Sequence, residues 1–402
     1  MAQILNPIMN ISIHSKQWPF IFALLTGFAI PISSAATNIF IVLTFISFML
    51  NQGFNRQNLS KIAHHPLAMS ALLLFSLMII GTSYSPVENL VAWSQVKKYL
   101  ELLYLPLFIL VFSSKKRQVY GLWAFLAAML LTLLFSYLTA WGLFHYKGTM
   151  DNPFVFKQHI AQNILMAFSV YLLWFLAKKH RFWRYLGFLL ATLAAVNVFM
   201  VQGRSGYVIL LALILLITYQ LWTWRGLLLG LLLIAGLSVA VYHRPLHERA
   251  QETVQQMADY QHGIVKNSLA IRLQFQYYSA QLFWQHPWFG TGTGSFAQQY
   301  GQLAAEKDLF PSSNPHNEYL LIANQLGGLG LLALIGFFYQ MGRLRTLTGD
   351  YAPLASALTV TLVVGCAFNS MLLDFTEGHA FIYLLAVVYA RLTGETALTG
   401  QA

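Results

Sequence analysis

Three residues carry most of the chemistry this sequence could perform. Arg204 sits in "VQGRSGYVIL", between Gly203 and Gly206. Glycines allow close backbone approach there, Ser205 is the expected cap of the following helix, and a guanidinium beside a helix N-terminus suits an anion. Arg272 lies in "NSLAIRLQFQYYSAQLFWQHP", on a helical stripe shared with Gln276 and Ser279. His316 belongs to "NPHNEYL". Asn314 is its expected N-cap and Pro315 the expected first helical residue. That places His316 in the first turn, where the helix dipole disfavours imidazolium and leaves a neutral ring able to accept a proton. Two arginines and a neutral histidine suit a diphosphate leaving group and a hydroxyl nucleophile: guanidinium forks hold the departing phosphate, and the ring takes the hydroxyl proton. Each residue also has a plainer reading. Arg204 could meet lipid headgroups, Arg272 could be a solvated charge, and Asn314, His316 and Glu318 could simply cap a helix end.

Weaker candidates flank these. Lys97 and Lys98 in "WSQVKKYLELLYLP" start an apolar run on the face of the protein that is otherwise poor in cations; a snorkelling pair is the bland alternative. "NSMLLDFTEGHAFIYLL" brings Asp374, Glu377 and His379 to a span boundary, where ionisable groups are functional candidates and helix caps compete for the same explanation. His159, Gln162 and Asn163 begin another apolar run. No acidic D-x-D pair, H-E-x-x-H or Cys/His cluster is present, so no metal ligand and no cofactor are expected. The G-T-G-T-G run at 290–294 lacks the G-K-[ST] of a phosphate loop, and there is no G-x-S-x-G elbow.

The elements that must position these residues are apolar. The 402-residue chain is 57% hydrophobic and only 9% charged, against roughly 25% charged in soluble domains, and runs long enough to cross a bilayer recur from Trp18 to Arg391. About twelve transmembrane helices are expected, in an all-α polytopic membrane protein. Residues 1–243 would hold the first nine, 244–313 one large external loop with amphipathic helices, and 314–402 the last three and a short tail. "SSKKRQ" and "KKHRFWR" cluster on one side with Lys16, Arg343, Arg345 and Arg391. By the positive-inside rule that side, with both termini, is cytoplasmic. The net charge of +11 is therefore topological, and nucleic acid is not an expected partner. The N-terminus shows no cleavable signal. Cys366, the single cysteine, forms no intrachain disulfide. A loop of this length is functional or disordered, and its aromatic content argues for folded. Transporters place coupling charges near mid-membrane at a repeat interface; here the charges lie at span ends.

"QGRSGY", the Arg272 helix leading to "HPWFGTGTGSF", and "NPHNEYLLIANQLGGLG" together resemble the O-antigen ligase family, whose core is shared with O-antigen polymerases and O-linked oligosaccharyltransferases. The resemblance implies a metal-independent, inverting glycosyltransferase of the GT-C type in lipopolysaccharide biosynthesis. It would move O-antigen glycan from undecaprenyl diphosphate to a terminal sugar hydroxyl of lipid A–core, in the bacterial inner membrane with its site facing the periplasm. It makes Arg204 and Arg272 the donor diphosphate ligands and His316 the catalytic residue, with Lys98, Asn317, Glu318 and Glu377 as further site members. A polymerase or a protein-glycosylating enzyme using the same donor is the alternative. The short tail after the last span favours a lipid acceptor over a protein.

Overall fold

The structure is a computed structural model that describes residues 16–179, 184–241 and 268–392. The sequence "RPLHERAQETVQQMADYQ" at 244–261, which reads as a polar surface helix, lies outside the described residues. Everything described is helical or loop, apart from one isolated bridge between Thr149 and Asn152.

The chain opens with an antiparallel pair, α1 (Trp18–Ala29) and α2 (Ser34–Leu50). Next, α3 (Arg56–Ala63) meets α4 (Pro66–Thr82) at 83°. The bend falls at His65 because a residue before proline is pushed out of the helical region; its ring accepts the Ala68 N–H at 3.3 Å as a cap. Three helices follow: α5 (Asn89–Lys97), α6 (Glu101–Val111) and α7 (Lys115–Ala140). They lead to α8 (His159–Lys179), α9 (Arg184–Met200) and α10 (Arg204–Val241). Then come α11 (Ser268–Gln285), α12 (Phe296–Lys307), α13 (Glu318–Leu344), α14 (Ala352–Phe368) and α15 (Phe375–Tyr389).

The core is built around α15. All its residues from Thr376 to Tyr389 are buried, against α6, α7, α8 and α14. A helix apolar on every side belongs in such a position. Peripheral α2 instead exposes Ile39, Val42, Phe45, Ile46 and Met49, a surface suited to lipid.

Among the described residues four stretches are long and apolar enough to cross a membrane: Lys115–Ala140, His159–Lys179, Arg204–Leu228 and Glu318–Phe368; the bent α3–α4 pair makes a fifth. These account for part of the twelve spans expected from hydropathy. Several apolar runs fold into shorter pieces, such as the 12-residue α1, which covers about 18 Å at 1.5 Å per residue. The run expected as a span over 99–113 forms α6, set off from α5 by a turn at 98–100. In α10 the helix is broken at Trp222 and Thr223, the latter at φ +55°, between the two spans expected over 206–222 and 225–243. The chain folds back there so closely that a Cβ on Gly226 would lie 1.8 Å from the Thr218 carbonyl oxygen.

The glycine run at 290–294 has a structural job. Helix α13 is interrupted at Gly327 (φ +66°), and the run, with Pro287 just before it, supplies backbone partners there. Thr291 N–H donates to Asn324 O at 3.0 Å, Gly292 N–H to Gln325 O at 2.8 Å, and Gly328 N–H to Pro287 O at 2.7 Å. Thr293 reaches across to α4, donating its N–H to Gly81 O at 3.0 Å and its hydroxyl to Met78 O at 2.7 Å. The loop buckles α4 to α13, with Gly290, Gly292 and Gly294 all at positive φ. Those amides serve protein carbonyls and do not cradle a phosphate. A Cβ on Gly292 would sit 2.4 Å from Ser85 Cα at φ +92°. Gly292→Ala is therefore expected to destabilise the fold by about 3 kcal/mol, read as a lowered melting temperature in detergent. An unchanged melting temperature would contradict this role for the loop.

Candidate active site

The N-termini of α8, α10, α13 and α15 gather at one end of the bundle. Lys115 pairs with Asp350 at 2.8 Å at the other end, where Lys179 lies 4.7 Å from the Tyr351 ring.

The approach to α13 differs from the sequence expectation. The helix starts at Glu318 and its cap is Asn317, whose Oδ1 accepts the Leu320 N–H at 3.1 Å and whose Nδ2 donates to Ala367 O at 3.1 Å. Asn314 is not the cap. Its Oδ1 accepts the His316 N–H at 2.8 Å and the Ser370 hydroxyl at 2.7 Å, an Asx turn that competes with helix for the same backbone. His316 thus lies before the helix, in the left-handed region at φ +52°. That conformation is uncommon for a residue with a side chain and concentrates at functional sites.

The ring of His316 is held by α11. Phe275 stacks on it at 6.2 Å with planes 27° apart, and Arg272 lies one turn back on the same face of the helix. Helix α11 is fixed to α13 by Asn324, whose Nδ2 donates to Ser279 O at 3.0 Å. The inward line is therefore Arg272, Phe275 and Ser279; Ser279 is buried, not part of an exposed polar stripe. Burial, and then the Arg272 guanidinium, keep the His316 pKa below the usual imidazole value, with Asn369 opposing them. The expected neutral ring is retained, through burial and a neighbouring cation in place of a helix dipole. Nδ1 of the ring and Nδ2 of Asn369 are buried without a hydrogen-bond partner among the described residues.

Arg204 is the first residue of α10, and buried Ser205 is the second, so Ser205 is not the cap. Gly203 and Gly206 press against Asn163 of α8: a Cβ on Gly206 would lie 2.2 Å from its Oδ1. Asn163 Nδ2 donates to Val198 O at 3.0 Å and Val201 O at 2.6 Å. The Gln202 N–H donates to Asn152 Oδ1 at 2.9 Å. These contacts set where Arg204 emerges. Burial, and then Arg204, lower the Arg272 pKa from the usual arginine value, while Asp374 opposes them. Two guanidiniums and one carboxylate thus bear on one space.

Asp374 occupies the cap position of α15. Burial raises its pKa, against Asn369, Lys98 and Arg272. Lys98, exposed at the end of α5, belongs to the group through Asp374. The structure therefore brings Arg204, Arg272, His316, Asp374, Asn369 and Lys98 together. It sets three other expected members beneath them. Asn317 is a cap. Glu318 is buried, taking the Tyr99 hydroxyl at 2.7 Å and the Leu372 and Leu373 N–H groups at 2.9 and 3.3 Å. Glu377 is buried with Oε1 unpartnered among the described residues. His379 stacks on Phe375 at 4.0 Å. Phe275 and Asn369 carried no signal that singled them out from their apolar neighbours. Arg204 and Arg272 can grip a doubly charged anion, while the neutral ring nearby can take a proton.

The family model described as O-antigen ligase matches residues 188–335. That segment contains Arg204, Arg272 and His316, and not Lys98, Asn369 or Asp374. A search of the curated proteins returns no match.

Proposed function

We propose that this chain, whose residues 188–335 match the family model described as O-antigen ligase, transfers glycan from undecaprenyl diphosphate to a terminal sugar hydroxyl of lipid A–core. The observation that carries the reading is the meeting of two guanidiniums with a neutral histidine at one end of an apolar helical bundle. The donor binds with its diphosphate between Arg204 and Arg272. An ionised diphosphate needs charge stabilisation to depart more than it needs a general acid. The acceptor hydroxyl gives its proton to His316 while its oxygen bonds to the anomeric carbon. The carbon–oxygen bond to the diphosphate breaks, its electron pair leaves with the phosphate, and in-line attack inverts the centre.

The reading takes the protein as a GT-C-type enzyme of the inner membrane with about twelve membrane passes, several of them broken helices. The histidine end faces the periplasm, both termini face the cytoplasm, and residues 244–313 form the large loop. Tests on purified protein use lipid-linked glycan and lipid A–core. Glycan on lipid A–core is the expected product. Longer glycan still on the polyprenyl carrier, with lipid A–core untouched, would make the protein a polymerase with the same donor site. Arginines supply the leaving-group charge in this mechanism, so transfer is expected to survive a chelator in metal-free buffer. A loss reversed by Mg²⁺ would overturn that point.

A further inference from the structure

A second polar pocket lies beside this site and plays no part in the reaction just described. It has a volume of about 560 Å³, and its walls include Ser33, Ser34, Lys147, Lys157, Gln158 and Thr376. Lys157 is 8% exposed. Its ammonium donates to Ser34 Oγ at 2.7 Å and lies 5.8 Å from the Phe375 ring. Lys147 donates to Phe156 O at 2.8 Å. Neither ammonium has a carboxylate within 4 Å among the described residues, since the ion pair found there is Lys115 with Asp350. Glu377 is the acid whose charge reaches Lys157, from beyond ion-pair distance. Burial, and then the Lys147 charge, pull Lys157 down to about 8.

Leaving a buried ammonium unpaired is costly, and a second one beside it adds to the cost. An anion in the pocket removes both penalties. The local helices point the same way. Ser34 starts α2, Gln158 directly precedes α8, and Thr376 lies in the first turn of α15, so the pocket is lined by residues from three helix N-termini, the ends that favour an anion. The pocket is tied to the arginine site without merging with it. Thr376 and Asp374 stand two residues apart on one turn, the first lining the pocket and the second acting on Arg272. His159, next to Gln158, also lies within reach of the Arg272 charge.

We propose that the Lys147–Lys157 pocket is a separate subsite for a phosphate ester carried by an amphiphile. Two sources present that chemistry at a membrane surface: a phosphorylated sugar of the acceptor glycolipid, which rests on the function proposed above, and the headgroup of a bilayer phospholipid. The test reads binding, not turnover. Full-length protein in nanodiscs is titrated with lipid A–core, intact or stripped of phosphate by hydrogen fluoride. Phospholipid phosphorus retained by the detergent-purified protein is measured alongside. Exposed Lys147→Gln is the first variant, and Lys157→Arg, which keeps the charge, the second.

If the acceptor phosphate fills the pocket, Lys147→Gln binds intact lipid A–core about tenfold more weakly. Lys157→Arg stays near wild type, and wild type binds the stripped acceptor as poorly as Lys147→Gln does. If a phospholipid fills it, acceptor binding ignores phosphate removal, and Lys147→Gln retains less anionic lipid than wild type. Equal acceptor binding and equal lipid phosphorus in all proteins would overturn the subsite. A protein that binds phosphate here yet transfers no glycan would overturn the proposed reaction and leave the subsite standing.

Discussion

His316→Ala is expected to lower glycan transfer by about 10²–10⁴-fold, with little change in donor affinity. In the proposed reaction the ring takes the acceptor proton, whereas arginines from other helices grip the donor. Its removal also deletes the stack on Phe275, but the loop is held by backbone and Asn314 contacts that the substitution keeps. The pH profile separates a base from a packing residue. Burial and Arg272 hold the imidazole below its usual value of 6.5, so the neutral, proton-accepting form persists below that pH. Activity in wild type should therefore hold through neutral pH and fall only as pH drops through the lowered value. In the alanine variant the residual rate should lose that acid limb. An acid limb of the same shape in both proteins would remove His316 from the proton transfer.

Arg272→Lys is expected to cost about 10²–10³-fold in transfer, although the formal charge is kept. A guanidinium presents a planar fork that meets two phosphate oxygens at once; an ammonium is a point charge. Arg272 is the more constrained of the pair, half-buried on a helix that Asn324 fixes to α13. Arg204, exposed at the start of α10, is expected to show the same sign with a smaller loss when changed to lysine. In the proposed reaction the two act on one diphosphate, so the double variant should lose less than the product of the single losses. Full activity in Arg272→Lys would show that fork geometry is not used. A normal rate with a raised donor KM would move the arginine from leaving-group stabilisation to simple binding.

Parts of this site were legible from residue type alone. Arginine between glycines, histidine after Asn-Pro and arginine on an aromatic-rich helix stand out because such groups are scarce in a chain with 9% charged residues. Their local geometry was harder to read. Asn314 and Asn317 are both good caps by propensity, and an Asx turn won the first of them because Ser370, 56 residues away, completes it. The glycine run was legible as a turn, while its role as a buckle depends on a break in α13 at Gly327 and on carbonyls of α4. Lys157 offered no signal of its own. Its burial follows from the packing of α2 and α15 around the loop that carries it.

By itself the sequence determined the all-helical apolar class and singled out Arg204, Arg272 and His316, which the structure brings to one end of the bundle. These depend on composition and local spacing, which any fold of the chain would inherit. Tertiary structure decided which apolar runs stay whole and which break, because a helix can be interrupted wherever another segment satisfies its backbone. It also decided that Asp374, Asn369 and Lys98 join Arg272 and His316, while Glu318 and Glu377 are sealed below them. The lowered pKa of His316, finally, comes from the burial and the arginine that packing provides, and no spacing along the chain encodes either.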